Sequence, residues 1–434
     1  MSLSSPAASS EHVAGLYPVW LRWRWTLLAA ALVLLAISIG ILNTDFWKIL
    51  GVGYMHPAFV DMQALLAAGE AWRAGHDPYV GPNLFDSYHR PHIYGPAWLV
   101  TGAAGFTVAH VAEFSVLTLI GFLGSLAYWY RPTNWRTTLG VLAVLLSAPI
   151  VLGLERANND LIVVMLISCA AVLSGRKGTL PVFAVILLLA TCAWLKLYPA
   201  IAGVALLTLP GGIRACIERM ITWGLLTVAG FVLYAYDYLR LMRNIPDAHT
   251  IFSYDIKYAF IISVGGVPSL RLWTWTGTVL ACLLAGVLLW RHRRDYWNAL
   301  PVTGPWAFFT VSAASIWVGC LMTNPSYPYR AVWLLPLLAW GASPQFTRPA
   351  AGRALCLWLL GFFWIWWAQW QCHFTLIENQ NGDYPPYWAV ALGVTHASVI
   401  LTTGVVAWLL LGWAWRRGRV LFAGSKAAPD SLTA

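Results

Sequence analysis

The chain has 434 residues, of which 59% are drawn from AVILMFWYC and only 10% are Asp, Glu, Lys or Arg, against about a quarter charged in soluble domains. So few polar side chains cannot cover a water-soluble core of this size, which excludes a soluble globular enzyme and makes a bilayer the natural solvent. Disordered, collagen-like and coiled-coil classes fail as well, because the chain is apolar, has no glycine period and shows no charged heptads.

Taken in chain order, a short polar N-terminus ends in Arg22 and Arg24 and runs into an apolar stretch with no small-residue cleavage site. That reads as a retained first helix. Backbone groups find no water partner in lipid, so spans must be helices of about 20 apolar residues, and about twelve runs fit that template. They lie near 26–42, 112–130, 137–154, 158–174, 180–195, 198–209, 221–236, 260–290, 303–322, 331–342, 354–371 and 388–415. The runs at 198–209 and 331–342 are short and lie beside proline, so broken or half-length helices are expected there. The apolar run 94–111 is expected as an interfacial helix, with Tyr94 and Trp98 at the headgroup level. The organisation read from this is a cytoplasmic tail at 1–25, one transmembrane domain at 26–415 with an outer loop at 43–111, and a second cytoplasmic tail at 416–434.

Charge orients these runs, because basic loops stay cytoplasmic. Arg22, Arg24, Arg131, Arg136, Arg176, Lys177, Arg291, Arg293, Arg294, Arg416 and Arg417 fall at the ends that face inward if the N-terminus is inside. Both termini are then cytoplasmic, and most of the acids face outward. The net charge of +10 is a set of topology anchors rather than a stripe for nucleic acid. The seven cysteines are scattered singly and read as small core residues. The tryptophan excess reads as packing and headgroup anchoring.

The outer loop carries a helix-like stretch, AFVDMQALLAAGEAWRAG, that follows Pro57 and places Asp61 in its first turn. Asp61 is either an acid stabilising the positive end of a helix or a carboxylate at a cavity mouth that takes a proton from a hydroxyl. Tyr79 and the stretch FDSYHRPHIYGP, which contains His92, then return the chain to the membrane. The hexapeptide ERANND brings Arg156, Asn158, Asn159 and Asp160 to a helix start at the outer boundary. Burial there is costly without partners, so these groups line a polar cavity or form structural pairs. Lys196, in WLKLYP beside Tyr198, either snorkels to the surface or meets a phosphate at the membrane boundary. Arg330, Tyr327 and His373 complete an outward face of bases and aromatics that suits a substrate carrying phosphate and sugar. His89, His92 and His373 read as surface histidines, and no metal is expected because no compact ligand set is present. There is no GxxxxGK[ST], GxSxG or HExxH, and no pair of matched halves.

The pattern FVDMQALLAAGEAWRAGHDPY followed by IYGPAWLV resembles the bacterial glycosyltransferase family 87, and ERANNDLIVVML, WLKLYP and YRAVWLLPLL follow in the family's order. The likeness covers about residues 59–338. It implies an all-α polytopic membrane protein with the C-type glycosyltransferase fold, whose first outer loop carries a catalytic Asp, here Asp61. The expected activity is inverting transfer of a hexose such as mannose from a polyprenyl-phosphate donor to a lipid or glycan acceptor, on the outer face of a bacterial inner membrane. Donor phosphate is expected at Lys196, Arg156 and Arg330. The substrate is expected against Asn158, Asn159, Asp160, Tyr79, His92, Tyr198, Tyr327 and His373, with no cofactor and no nucleic-acid partner. A transporter or flippase of a lipid-linked sugar or small anion, and an inactive assembly scaffold, are the alternatives that composition leaves open.

Overall fold

A computed structural model of the protein describes residues 19–244, 271–322, 328–379 and 386–426. Its described residues form helices and no strand, the form in which a chain in lipid satisfies its own backbone. The first half comprises α1 (Val19–Leu42), α2 (Asp45–Ile49), α3 (Val60–Arg73), α4 (Val100–Ala103), α5 (Val111–Trp129), α6 (Trp135–Leu145), α7 (Ala148–Glu155), α8 (Asn159–Ser174), α9 (Thr179–Leu195), a 3-10 helix at Tyr198–Thr208, α10 (Ile213–Leu233) and α11 (Ala235–Asn244). The second half comprises α12 (Arg271–Trp290), α13 (Arg293–Trp297), α14 (Pro305–Met322), a 3-10 helix at Pro328–Leu334, α15 (Leu335–Ala342), α16 (Pro349–Asn379) and α17 (Pro386–Lys426).

Among the described residues the apolar runs have helical counterparts, residues 260–270 of the run 260–290 lying outside them, but fewer of the helices are long. Among the described residues six helices have the length and composition to cross a bilayer, and α6 with α7, bent by 66°, makes a seventh if the pair is taken as one span. The bend falls where Ser147 and Pro149 interrupt the run, since proline cannot donate into the preceding turn. The runs at 158–174, 180–195 and 198–209 form shorter apolar helices. As expected from its prolines, the 198–209 run is a 3-10 helix, and 331–342 splits between a 3-10 turn and the eight residues of α15. The run 94–111 departs from the single interfacial helix read from its composition. It forms α4 between two short 3-10 pieces, Pro96–Leu99 and Val108–His110. Glycine is the reason it folds onto α3: a Cβ on Gly102 would stand 1.9 Å from the Gly69 carbonyl oxygen. Helix α17 runs on past residue 415 to Lys426.

The centre of the protein is α14, whose apolar window is 78% buried. It packs against α8, α17 and the Tyr198–Thr208 helix. Aromatic residues fill the surrounding space: Trp129 stacks on Phe309 with centroids 4.6 Å apart, and its indole N–H donates to Ser168 Oγ at 2.8 Å. A buried tryptophan with its N–H satisfied is a packing residue, as the sequence suggests for much of the tryptophan excess.

Arg417 does more than anchor the topology. It is buried, and its guanidinium donates to the carbonyls of Leu207 at 2.6 Å and Leu209 at 2.9 Å. These are carbonyls at the C-terminal end of the Tyr198–Thr208 helix, which helices leave unpaired. Arg417→Met is therefore expected to lose charge-assisted bonds and strand two buried acceptors, at a cost of about 3 kcal/mol. Thermal unfolding of the detergent-purified variant should show a lowered transition, and an unchanged one would contradict the capping role.

Candidate active site

The site is built on the turn between α7 and α8. Helix α7 ends with two bonds, from Ala157 N–H to the Leu154 carbonyl at 3.1 Å and from Asn158 N–H to the Gly153 carbonyl at 2.9 Å. Ala157 takes the left-handed conformation, φ +45°, that such a helix stop requires and glycine usually supplies. One residue later α8 begins, with Asn158 as its N-cap accepting the Asp160 N–H at 2.9 Å. The hexapeptide ERANND is thus a stop and a start in immediate succession. Glu155, Asn158, Asn159 and Asp160 are all at most 1% exposed.

The start of α3 docks on this turn. Phe59 N–H donates to the Glu155 carbonyl at 3.1 Å and Met62 N–H to the Arg156 carbonyl at 3.4 Å. The orphan donors at the head of α3 therefore find the orphan acceptors at the tail of α7, and the two helix dipoles meet with opposite signs. Met55 N–H adds a bond to the Glu155 carboxylate at 3.3 Å, and Arg156 Nε lies 3.7 Å from the other Glu155 oxygen. Phe59 bends the chain into α3 with φ +63°.

Asp61 is consequently rigid and buried, at 5% exposure. Its Oδ2 accepts from Asn158 Nδ2 at 2.6 Å, and Arg90 stands 3.6 Å from its Oδ1. Arg90 is itself locked: it donates to both oxygens of Asp86 at 2.8 and 2.9 Å, and to the Val60 carbonyl at 2.8 Å. The sequence reading of Asp61 as a mere helix-end acid is incomplete, since side chains from outside its helix hold both of its oxygens.

Lys196 lies across from this group, at the end of α9. Its ammonium is 2.8 Å from Asp160 Oδ1, with side-chain exposures of 8% and 1%. Tyr198 also donates its hydroxyl to Asp160 Oδ1. The rings of Tyr198, Tyr94 and Tyr329 surround the ammonium at 5.3, 5.4 and 5.8 Å, within cation–π range. Arg330 stacks over Tyr198 at 4.5 Å. Snorkelling is overturned for Lys196, because a buried ion pair and three aromatic faces hold it inward. Both amide atoms of Asn159 and the second oxygen of Asp160 are buried without a hydrogen-bond partner among the described residues.

Gly95 brings Tyr94 to the lysine. Its N–H donates to the Leu195 carbonyl at 3.0 Å, and an added Cβ would stand 1.8 Å from the Trp194 carbonyl oxygen. Gly95→Ala is expected to push the 94–96 segment off the end of α9 and to cost about 2 kcal/mol through overpacking. A thermal transition equal to that of the unsubstituted protein would show that the segment yields without strain.

His92 is not a surface histidine. It is 3% exposed, its ring lies 5.3 Å from Tyr79 and 5.9 Å from Tyr94, and Nε2 is 3.4 Å from the Gly95 carbonyl. Burial pushes its pKa down to about 4, partly opposed by the Gly95 carbonyl, so it is neutral at physiological pH. Tyr79 stands one step further out, in a satellite cluster with Ala68, Leu99, Tyr238 and Leu241. There Arg240 of α11 pairs with Asp77 and lies over the Tyr79 ring, while Asn244 Nδ2 donates to the Tyr79 carbonyl at 2.6 Å. Burial raises the pKa of the Tyr79 phenol, which keeps it a neutral hydroxyl.

The structure gathers Asp61, Arg156, Asn158, Asn159, Asp160, Lys196, Tyr198 and Arg330 around one turn and one helix end, and it links His92 to them through Tyr94. Tyr79 packs against His92 but belongs to the satellite cluster under α11. Tyr327 lies outside the described residues, and His373 falls in α16 where only the backbone is described. Sequence reasoning missed Arg90 and Asp86, Tyr94 as a wall of the lysine site, and the Glu155 carboxylate. Arg90 and Asp86 had a signal, an acid and a base four residues apart in a loop that returns towards Asp61. Among the described residues no three His, Cys, Asp or Glu side chains form a group that could hold a metal ion.

The chain is a polytopic membrane protein, helical and without strands among the described residues, with a buried acid–base cluster. No protein-family profile matches it, and no curated protein matches it in sequence. Among solved structures it is similar to the crystal structure of ArnT from Cupriavidus metallidurans bound to undecaprenyl phosphate. That similarity has 15% identity and a TM-score of 0.38, over 91% of this chain and 78% of that one.

Proposed function

We propose that the protein is an inverting C-type glycosyltransferase, similar to family 87, that moves a hexose such as mannose from a polyprenyl-phosphate donor to a lipid or glycan acceptor. The site would face outward from a bacterial inner membrane, with both termini cytoplasmic. The observation that carries the reading is the juxtaposition of a held carboxylate, Asp61, with the cations Lys196, Arg156 and Arg330 on elements that meet at the α7–α8 turn. The resemblance of FVDMQALLAAGEAWRAG, ERANND and WLKLYP to family 87 supports the same roles.

In this reaction Asp61 takes the proton of the acceptor hydroxyl as that oxygen forms its bond to the anomeric carbon. The bond from that carbon to the donor phosphate breaks on the opposite face, and the phosphate leaves with the electron pair. Lys196, Arg156 and Arg330 stabilise its charge. One base suffices, because a phosphate leaves without the second carboxylate that glycosidases use as acid. The amide of Asn159 and the second oxygen of Asp160, which have no hydrogen-bond partner among the described residues, suit sugar hydroxyls, since buried polar groups without partners are costly.

The test is transfer of radiolabelled sugar from polyprenyl-phosphate donors to membrane lipid or glycan, in membranes carrying the unsubstituted protein or Asp61→Asn. Transfer by the first and its loss in the second support the reading. Absence of transfer across several donors overturns it and moves the weight to flipping of a lipid-linked sugar.

A further inference from the structure

Asn158 sits between the two carboxylates of the site, and the backbone decides which way its amide faces. Its Oδ1 accepts the Asp160 N–H at 2.9 Å, the bond that caps α8. A backbone N–H only donates, so the amide oxygen must turn towards it. The amide nitrogen is then committed to the other side, where it donates to Asp61 Oδ2 at 2.6 Å. At 1% exposure, Asn158 is shielded from bulk solvent. Arg90, fixed by Asp86 and the Val60 carbonyl, stands beside the remaining oxygen, Oδ1, at 3.6 Å.

We infer that Asn158 is a positioning residue for the proton transfer, an inference that rests on the reading of Asp61 as the base. By occupying Oδ2 it leaves Oδ1 as the oxygen that receives the acceptor's proton, while the acceptor oxygen bonds to the anomeric carbon and the donor phosphate departs with the electron pair. The same side chain caps the helix whose first turn carries Asp160, the partner of Lys196. One amide therefore holds the base and the lysine pair in a fixed relation. A misplacement of about 1 Å in such an arrangement costs on the order of 10²-fold in rate.

The decisive variant is Asn158→Asp. Asp and Asn cap helices about equally well, so the start of α8 keeps its bond, but the donor facing Asp61 becomes a second carboxylate oxygen. With radiolabelled polyprenyl-phosphate mannose as the probe, kcat is expected to fall about 10²-fold while KM for the donor stays unchanged. If kcat is unchanged, Asn158 is only a cap and the inference is overturned. A second measurement is independent of activity. The thermal transition of detergent-purified Asn158→Asp should drop, and the double variant Asp61→Asn/Asn158→Asp should regain it, because the exchange restores one donor facing one acceptor. A double variant no more stable than Asn158→Asp overturns the contact. If the unsubstituted protein transfers nothing from the probe or related donors, it is the glycosyltransferase reading that fails, and the stability exchange still reports on the contact by itself.

Discussion

Asp61→Asn is expected to lower sugar transfer by about 10²–10⁴-fold, the range a positioned general base contributes, while leaving the protein folded. Folding should survive because the substituted amide still offers an oxygen to Asn158 Nδ2, which donates to Asp61 at 2.6 Å. The contact given up is the one to Arg90, at 3.6 Å, and Arg90 keeps its bonds to Asp86 and the Val60 carbonyl. What disappears is the capacity of Oδ1 to accept a proton from the attacking hydroxyl. The measurement is kcat and donor KM in membranes matched for the amount of inserted protein. A large fall in kcat at unchanged KM is the expected pattern, because the interaction lost belongs to the transition state. Transfer at the unsubstituted rate would remove Asp61 from the mechanism.

The second large effect concerns Lys196. From sequence, Lys196→Met is expected to weaken donor use with normal expression, but the structure changes the second half of that expectation. Lys196 and Asp160 form a pair at 2.8 Å with 8% and 1% exposure, so removing the cation leaves a carboxylate buried without its counter-charge. Breaking a buried pair from one side costs about 3–5 kcal/mol, and Lys196→Met should express poorly and melt early. The double variant Lys196→Met/Asp160→Asn removes both charges, keeps an acceptor for the Tyr198 hydroxyl, and should recover most of that loss. Its donor KM should nonetheless stay raised, since the cation proposed for the phosphate is gone. Equal stability of Lys196→Met and the unsubstituted protein would refute the energetic role of the pair. Normal donor saturation in the double variant would refute the phosphate role.

The two predictions separate because the two carboxylates stand in different settings. Asp61 is oriented by one hydrogen bond, from Asn158 to its Oδ2, with the Arg90 guanidinium 3.6 Å from its Oδ1. Asp160 faces an ammonium inside a ring of tyrosines, and one of its oxygens is buried without a partner among the described residues. A carboxylate of the first kind can be neutralised with little structural loss, whereas neutralising only one member of the second pair strands a charge.

Several features of this arrangement were legible in the residues alone. The placement of Asp61 in the first turn of a helix after Pro57 was readable because proline starts and apolar periodicity are local signals, and α3 begins at Val60. The polar hexapeptide before α8 stood out because burying such residues beside apolar runs demands partners. The partners themselves were not readable, since Asp61 and Asn158 are 97 residues apart in sequence, and Lys196 lies 36 residues beyond Asp160. Gly95 gave no local sign of its role, because the need for a missing Cβ arises only where the chain crosses the Trp194 carbonyl. Arg417 was legible only as a basic residue at a helix end. The carbonyls it caps come from residues 207 and 209, on a different helix.

By itself the sequence determined the solvent, the all-helical class, the approximate position of each apolar run and the chemical types available at the outer loop, because these depend on composition and short-range periodicity. The tertiary structure decided which runs are long helices and which are short or bent. It also decided that Asp61 faces an amide and a locked guanidinium, and that Lys196 is held by a carboxylate instead of reaching water. Those outcomes depend on burial and on pairings between distant segments. In a low-dielectric interior the identity of the partner sets whether a charge is stable, strained or ready to react.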